Sequence, residues 1–337
     1  MNKSELALTA TALVAPGKGI LAADESSGTI KRRFDSIGAD STEENRIIYR
    51  ETLFRTEGSN EFISGVILYD ETIRQKSLID QTPLVDILTN QNIIPGIKVD
   101  KGTGPLPGSP NELVTDGLDG LRDRLNEYYS LGARFTKWRA VINIGSSLPS
   151  RYCVEVNAHL LARYASLSQE AGLVPIVEPE VLMDGTHSID ECLEVTEYTL
   201  HEVFHQLRLQ GVFLEGSLLK PNMVISGKDA TNRANPEEVA EKTIQCFRRT
   251  VPAAVPGIVF LSGGQSDEEA TINLDAINKL ANNIAQPWEL SFSYGRGLQA
   301  SPLQAWGGKP SNLGAAASAF YSRAQMTSAA RKGQYAK

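Results

Sequence analysis

Eight short apolar runs, separated by segments of helical pattern, narrow the possible folds of this chain more than any other feature. They are GILAADE at 19–25, GVILYD at 65–70, IIPGIKVD at 93–100, ARFTKWR at 133–139, LVPIVEPE at 173–180, VFLEGSLLK at 212–220, GIVFLSGG at 257–264 and WELSFSYGRG at 288–297. Their spacing of about 30 to 45 residues is that of a strand followed by a returning helix. Sequential alternation predicts a parallel sheet, because a parallel neighbour is reached only through a crossover. Eight units over about 280 residues suit a closed (β/α)8 TIM barrel, an α/β fold, better than an open doubly wound sheet.

The intervening segments carry start and stop signals. Ser41 with Glu44, Ser188 with Glu191, and Ser266 with Glu269 each fit a capping box, in which a serine oxygen and a glutamate satisfy orphan backbone donors. Asn235 before Pro236 reads as an N-cap and a first-turn proline. Gly172 and Gly211 stand where a left-handed residue ends a helix. No Pro/Gly/Ser-rich linker divides the sequence, so residues 1–337 are expected to form one domain. It would comprise an N-terminal lead, a barrel core at about 19–310 and a helical tail at about 312–337.

Composition removes several classes of function. With 337 residues, 41% of them hydrophobic and 22% charged, the chain can bury a full core. No apolar run approaches the roughly 20 residues that cross a bilayer, so no membrane role is expected. A net charge of −7 argues against non-specific nucleic-acid binding. Cys153, Cys192 and Cys246 are odd in number and far apart. That pattern fits a reducing cytoplasm better than a disulfide framework or a zinc site.

In a barrel, the C-terminal strand ends converge on one mouth, where such enzymes hold their active sites. Those ends carry Asp24 and Glu25, Lys98, Lys137 and Arg139, Glu178 and Glu180, Glu215 and Lys220, then Ser262, Gly263 and Gly264, and finally Arg296. A buried lysine facing a second cation resists protonation and becomes nucleophilic near neutrality. Lys220, between apolar residues in SLLKPNMV, meets the first condition, and Lys137 across the mouth would supply the second. Such a lysine attacks a carbonyl to form a Schiff base, whose protonated imine accepts the electrons of a breaking carbon–carbon bond. Glu178 and Glu180, two apart on one strand, share a face and could move the protons. Spacing alone leaves the nucleophile open among Lys98, Lys137 and Lys220.

The last two loops point to an anionic substrate. SGGQSDEE sets two glycines before a capped helix, whose N-terminal N–H groups can face a phosphate, and SYGRG adds a cation beside them. Ser26, Thr29 and Arg33 in DESSGTIKRR are candidates for a second phosphate.

Taken in order, GKGILAADES, GIKVDKG, KWRAVINIG, VPIVEPE, LEGSLLKPNMV, FLSGGQS and SFSYGRGLQAS resemble class I fructose-bisphosphate aldolases of the eukaryotic type, from about residue 17 to 310. The resemblance implies a barrel that cleaves fructose 1,6-bisphosphate reversibly to dihydroxyacetone phosphate and glyceraldehyde 3-phosphate, with no metal and no cofactor. It further implies a homotetramer. Lys220 matches the family's Schiff-base lysine and Glu178 its proton-transfer glutamate. Glu180 matches the neighbour that orders the site, Asp24 the aspartate that orients a substrate hydroxyl, and Lys137 the lysine that supports charge. Ser262, Gly263 and Arg296 match the phosphate site on the dihydroxyacetone side, and Gly264 of the same glycine loop is a candidate beside them. Ser26, Thr29, Arg33, Lys98 and Arg139 match positions on the other. Thr29 stands where the family usually has serine. The family's longer tail ending in tyrosine is not seen after GQYAK, which carries the expectation that dihydroxyacetone phosphate is released differently or more slowly.

One motif points elsewhere. His201 to His205 spell HEVFH, the HExxH pattern of zinc hydrolases. At 100° per residue, however, Leu193, Leu200, Val203 and Leu207 form one apolar stripe and both histidines fall outside it. His159 and His187 are not at strand ends. GTGPLPG at 102–108 lacks GxGxxG spacing and no GxxxxGK(S/T) occurs, so nucleotide binding has little support.

Overall fold

The computed structural model describes residues 2–336. Its strands are β1 (Gly19–Ala23), β2 (Ile63–Leu68), β3 (Ile94–Lys98), β4 (Thr103–Leu106), β5 (Ser109–Thr115), β6 (Phe135–Ile142), β7 (Val174–Val181), β8 (Leu218–Leu219), β9 (Gly257–Phe260) and β10 (Glu289–Tyr294). Eight close a parallel barrel in the order β1-β10-β9-β8-β7-β6-β3-β2. The expected (β/α)8 architecture is therefore observed.

Strand alternation sorts side chains into two cores. Residues facing outward meet the surrounding helices: Trp138 of β6 stacks on Tyr164 of the helix Arg151–Glu170, with ring centroids 5.5 Å apart. Inward-facing residues are apolar in the lower barrel, where Ile20, Ile67, Phe135, Val174, Ile176, Leu218 and Val259 form a buried cluster. The helix Lys3–Leu13 closes the bottom by adding Leu6, Ala10 and Leu13 to that cluster. The helix Leu313–Arg331 then clamps the lead, as Ser328 Oγ donates to the Gly17 carbonyl at 2.6 Å and Arg331 to the Val14 carbonyl at 2.6 Å.

Caps behave as the sequence suggests in most places. Ser188 and Glu191 form a full capping box, Asn235 caps a helix with Pro236 in its first turn, and Ser266 accepts from the Glu269 amide. Gly172 and Gly211 both have positive φ. The helix Glu43–Phe54 differs, because Thr42 and not Ser41 is its N-cap, accepting from Asn45. Strand six also differs. Only Leu218–Leu219 is paired as a strand, and Leu214–Gly216 is a 3-10 turn. Glu215 is consequently exposed below the strand instead of standing at the mouth. The GTGPLPG segment contributes β4 to the antiparallel hairpin β4-β5, an excursion between β3 and β6 that the eightfold reading did not contain.

Candidate active site

The mouth is built by the same two-residue period that builds the core. Each inward row that is apolar below becomes charged at its upper end: Ile20, Ala22 and Asp24 on and after β1, Phe135, Lys137 and Arg139 on β6, Ile176, Glu178 and Glu180 on β7, and Leu218 and Lys220 around β8. Register then sets neighbours, with Lys98 beside Lys137 and Arg139 beside Glu178.

Four of these side chains form one chain of charges. Lys137 Nζ lies 2.7 Å from Asp24 Oδ2 and 3.2 Å from Glu178 Oε2. Lys220 Nζ lies 3.2 Å from Glu178 Oε1. Glu178 is thus held between two ammonium groups, and both lysines and the glutamate are buried. Glu178 Oε2 has no aligned hydrogen bond, so its approach to Lys137 is a charge contact.

Burial and pairing oppose each other here, and pairing wins. Burial alone would raise the Asp24 carboxyl pKa, yet Lys137, Lys220 and Lys98 hold it well below the ordinary carboxylate range. Burial likewise acts upward on Glu178, and Lys137, Lys220 and Arg139 turn the shift downward. Lys137 is pushed down by burial but raised above the usual lysine range by Asp24, Glu178 and Asp100. At neutral pH, Asp24 and Glu178 are carboxylates and Lys137 is an ammonium.

Arg139 pairs with Glu180, and Lys98 donates to the Asp100 carbonyl at 2.9 Å while pairing with its carboxylate. With Ser26 and Thr29, whose hydroxyls are 3.2 Å apart, Lys98 and Arg139 line a cavity of about 640 Å³ at the mouth. Arg33 lies outside that cavity. It pairs with Glu25 and shares a hollow of about 360 Å³ with Arg32, Arg296 and Gln299, which Thr29 also borders.

On the far side, Ser262 Oγ accepts from the Gly297 amide at 3.2 Å. A Cβ on Gly263 would stand 2.8 Å from Glu180 Oε1, so glycine is what lets that carboxylate approach the loop. Gly264 has φ +75° and faces Met183. Arg296 begins the helix Arg296–Trp306 and is exposed; among the described residues its side chain makes no hydrogen bond or ion pair.

One participant was named at a strand end without a role, and another escaped the sequence reading. Glu25, the first, is buried and receives Gln299 Nε2 at 2.7 Å as well as Arg33, while its Oε2 has no partner. Alternation sends it away from its neighbour Asp24. Asp100, which binds Lys98 and accepts from the Arg139 amide at 3.3 Å, sits two residues past a strand lysine. The two histidines of HEVFH lie on the outward face of the helix Ile189–Leu209. Val203 and Leu207 are buried there and both histidines are exposed. Among the described residues no three His, Cys, Asp or Glu side chains are grouped to hold a metal ion.

A family model described as fructose-bisphosphate aldolase class-I matches residues 5–337. A probable fructose-bisphosphate aldolase class 1 of Xanthomonas axonopodis pv. citri is 56% identical over 336 residues, covering 99% of each chain. The cytosolic fructose-bisphosphate aldolase 4 of Arabidopsis thaliana is 53% identical over 98% of this chain and 84% of its own. In structure, the fructose-bisphosphate aldolase of Plasmodium falciparum, solved in complex with TRAP and a small-molecule inhibitor, superposes with a TM-score of 0.97 at 52% identity. The match covers 99% of this chain and 96% of that one. The chain belongs to the class I fructose-bisphosphate aldolases, the metal-independent lyases that cleave fructose 1,6-bisphosphate reversibly to dihydroxyacetone phosphate and glyceraldehyde 3-phosphate through a lysine Schiff base.

Proposed function

We propose that Lys220 is the lysine that forms the imine, and the observation that carries this is the unequal pairing of the two buried lysines. Lys137 is gripped by Asp24 and Glu178, whereas Lys220 touches Glu178 alone. Lys220 is the one of the two whose ammonium proton can pass to a single adjacent carboxylate. Its neutral amine attacks the ketose carbonyl carbon, giving a carbinolamine. Glu178, now protonated, returns a proton to the carbinolamine hydroxyl, water leaves, and the protonated imine remains. Glu178 is again a carboxylate and removes the proton from the hydroxyl on the far side of the scissile bond. That oxygen becomes the aldehyde of glyceraldehyde 3-phosphate, and the bonding electrons enter the imine to give an enamine.

Lys137 stays cationic and steadies the negative charge that develops on oxygen as the imine forms. Asp24 orients a substrate hydroxyl, and Glu180, held by Arg139, orders the site. Ser262, Gly263, Gly264 and Arg296 take the phosphate on the dihydroxyacetone side; Ser26, Thr29, Lys98 and Arg139 take the other, with Arg33 at its edge. A helix N-terminus behind a glycine loop supports the first assignment.

Residues 1–337 form a single folding unit that acts as a cytoplasmic homotetramer, engaging neither membranes nor nucleic acid. A relative described as cytosolic supports the location, and no helix among the described residues is long and apolar enough to cross a membrane. Borohydride reduction in the presence of fructose 1,6-bisphosphate tests the central assignment. Peptide mapping should find the adduct on Lys220, and activity should be indifferent to EDTA; an adduct on Lys137 or Lys98, or none, would overturn it. Native mass spectrometry of the same adduct reads the subunit number, and a monomer would contradict the tetramer.

A further inference from the structure

Arg323 lies on the helix Leu313–Arg331, far in sequence from the mouth, yet it is 9% exposed and reaches the two segments that carry the dihydroxyacetone-side phosphate site. Its Nε donates to the Gly297 carbonyl at 3.1 Å. The same guanidinium donates through NH2 to the Asp267 carbonyl at 3.0 Å and to Thr271 Oγ1 at 2.7 Å. Gly297 follows Arg296 directly, and Asp267 opens the helix Asp267–Asn283 that the Ser262–Gly264 loop feeds. Both backbone groups of Gly297 are therefore fixed, its N–H on Ser262 Oγ and its carbonyl by Arg323.

Among the described residues Arg323 forms no ion pair at contact distance: it hydrogen-bonds the Asp267 carbonyl, while the Asp267 carboxylate is near enough to feel its charge. Burying a guanidinium is costly even with a carboxylate at that range, so packing alone does not account for an arginine here. What the position uses is a rigid planar fork that bridges two chain segments, which a lysine cannot reproduce. We propose that Arg323 is a positioning residue for the reaction: it fixes the spacing between Arg296 and the Ser262–Gly264 loop, and hence the grip on the phosphate of dihydroxyacetone phosphate. The proposal rests on the reading of those residues as that phosphate's site.

The test is the condensation reaction, in which the two substrates have separate KM values. Arg323→Met and Arg323→Lys should both raise the KM for dihydroxyacetone phosphate about tenfold, leaving kcat and the KM for glyceraldehyde 3-phosphate within about twofold. Ser262→Ala is run beside them. If it raises the KM for dihydroxyacetone phosphate and neither Arg323 variant does, the proposal is overturned while the site reading stands. If Ser262→Ala has no effect, the site reading falls and takes the proposal with it. Full activity in Arg323→Lys would show that charge and not the fork matters, and a fall in kcat with both KM values unchanged would show a structural role only. Either result overturns the proposal. Should Arg323→Met fail to fold, Thr271→Val removes one acceptor with little change of shape, and a rise of about two- to threefold in the same KM is expected.

Discussion

At the scale of single residues, the mouth shows how a lower barrel built for burial can hold a chain of four charged groups above it. A lone carboxylate in this place would be neutral. Asp24 and Glu178 remain charged because each faces Lys137, and Glu178 faces Lys220 as well. The linkage has a definite sign. Both carboxyls have folded-state pKa values depressed below their ordinary 3.8 and 4.5, so their contribution to stability is fully present above those values and is lost as pH falls through the lower folded ones. Lys137 is raised above its ordinary 10.5, so its contribution is fully present below that pH and is lost as pH rises through the higher folded value. The cluster is intact across the neutral range. Urea midpoints should therefore fall progressively below about pH 4.5, and Asp24→Asn, which costs on the order of 1–3 kcal/mol at pH 7, should show a smaller loss over the same acid range. Parallel pH profiles for the two proteins would contradict this account. These pairings were only partly legible. The carboxylates and lysines stand in the sequence at strand ends, but which lysine has one partner and which has two depends on register between strands roughly 40 residues apart.

At the scale of elements, the barrel owes its closure to glycines that admit large inward residues. A Cβ on Gly96 of β3 would collide with the ring of Phe135 on β6, and one on Gly65 of β2 would stand 2.7 Å from Leu13 of the N-terminal helix and 3.1 Å from the Phe135 ring. Small residues on two strands thus make room for one phenylalanine and for the helix that stops the barrel's lower end. Gly96→Ala should destabilise the fold by roughly 1–3 kcal/mol, the usual cost of overpacking, and Phe135→Leu in the same chain should recover part of it. Thermal unfolding of the single and double variants measures the coupling, and strictly additive effects would refute it. Here the sequence spoke unevenly. Eight apolar runs announced the strands, because residues buried on both faces must be apolar throughout. The lower plug was hidden: SELALTATAL has no clear apolar face, with Leu8 exposed and Leu6 and Leu13 buried, and nothing local says what its leucines will meet. The sixth strand was overdrawn because VFL and LL are apolar on either side of EGS, whereas Leu214–Gly216 is a 3-10 turn in which a Cβ on Gly216 would stand 2.8 Å from Leu6. The β4-β5 hairpin was missed for the opposite reason, since TGPLPGSPNE carries the proline and glycine of a loop, with Gly108 at positive φ in its turn.

At the scale of the whole molecule, a chain with 33 basic and 40 acidic side chains must attract a substrate with two phosphates. Gathering cations at one mouth is the evident solution, but the structure qualifies it. Lys98, Lys137, Arg139 and Lys220 each already face a carboxylate, so an arriving phosphate exchanges partners with them and meets few bare charges. A paired charge is felt only at short range. Steering from a distance falls to cations at the rim outside ion pairs, which among the described residues include Lys101, Arg124 and Arg296. Arg124 is tied by its donor groups to the Val99 and Gly117 carbonyls, and Arg296 belongs to the proposed phosphate site, so Lys101 separates steering from structure and chemistry best. Exposed charges act over about 10 Å at 0.1 M salt. The value of kcat/KM for fructose 1,6-bisphosphate should accordingly fall about three- to fivefold between roughly 20 and 200 mM sodium chloride, with kcat unchanged. Lys101→Ser should lower kcat/KM about twofold at the low-salt end and flatten the salt dependence, again with kcat unchanged. If kcat/KM does not respond to salt, or if Lys101→Ser lowers it equally at every ionic strength, the rim cations do not steer. The ion pairs inside the mouth would then carry substrate capture alone.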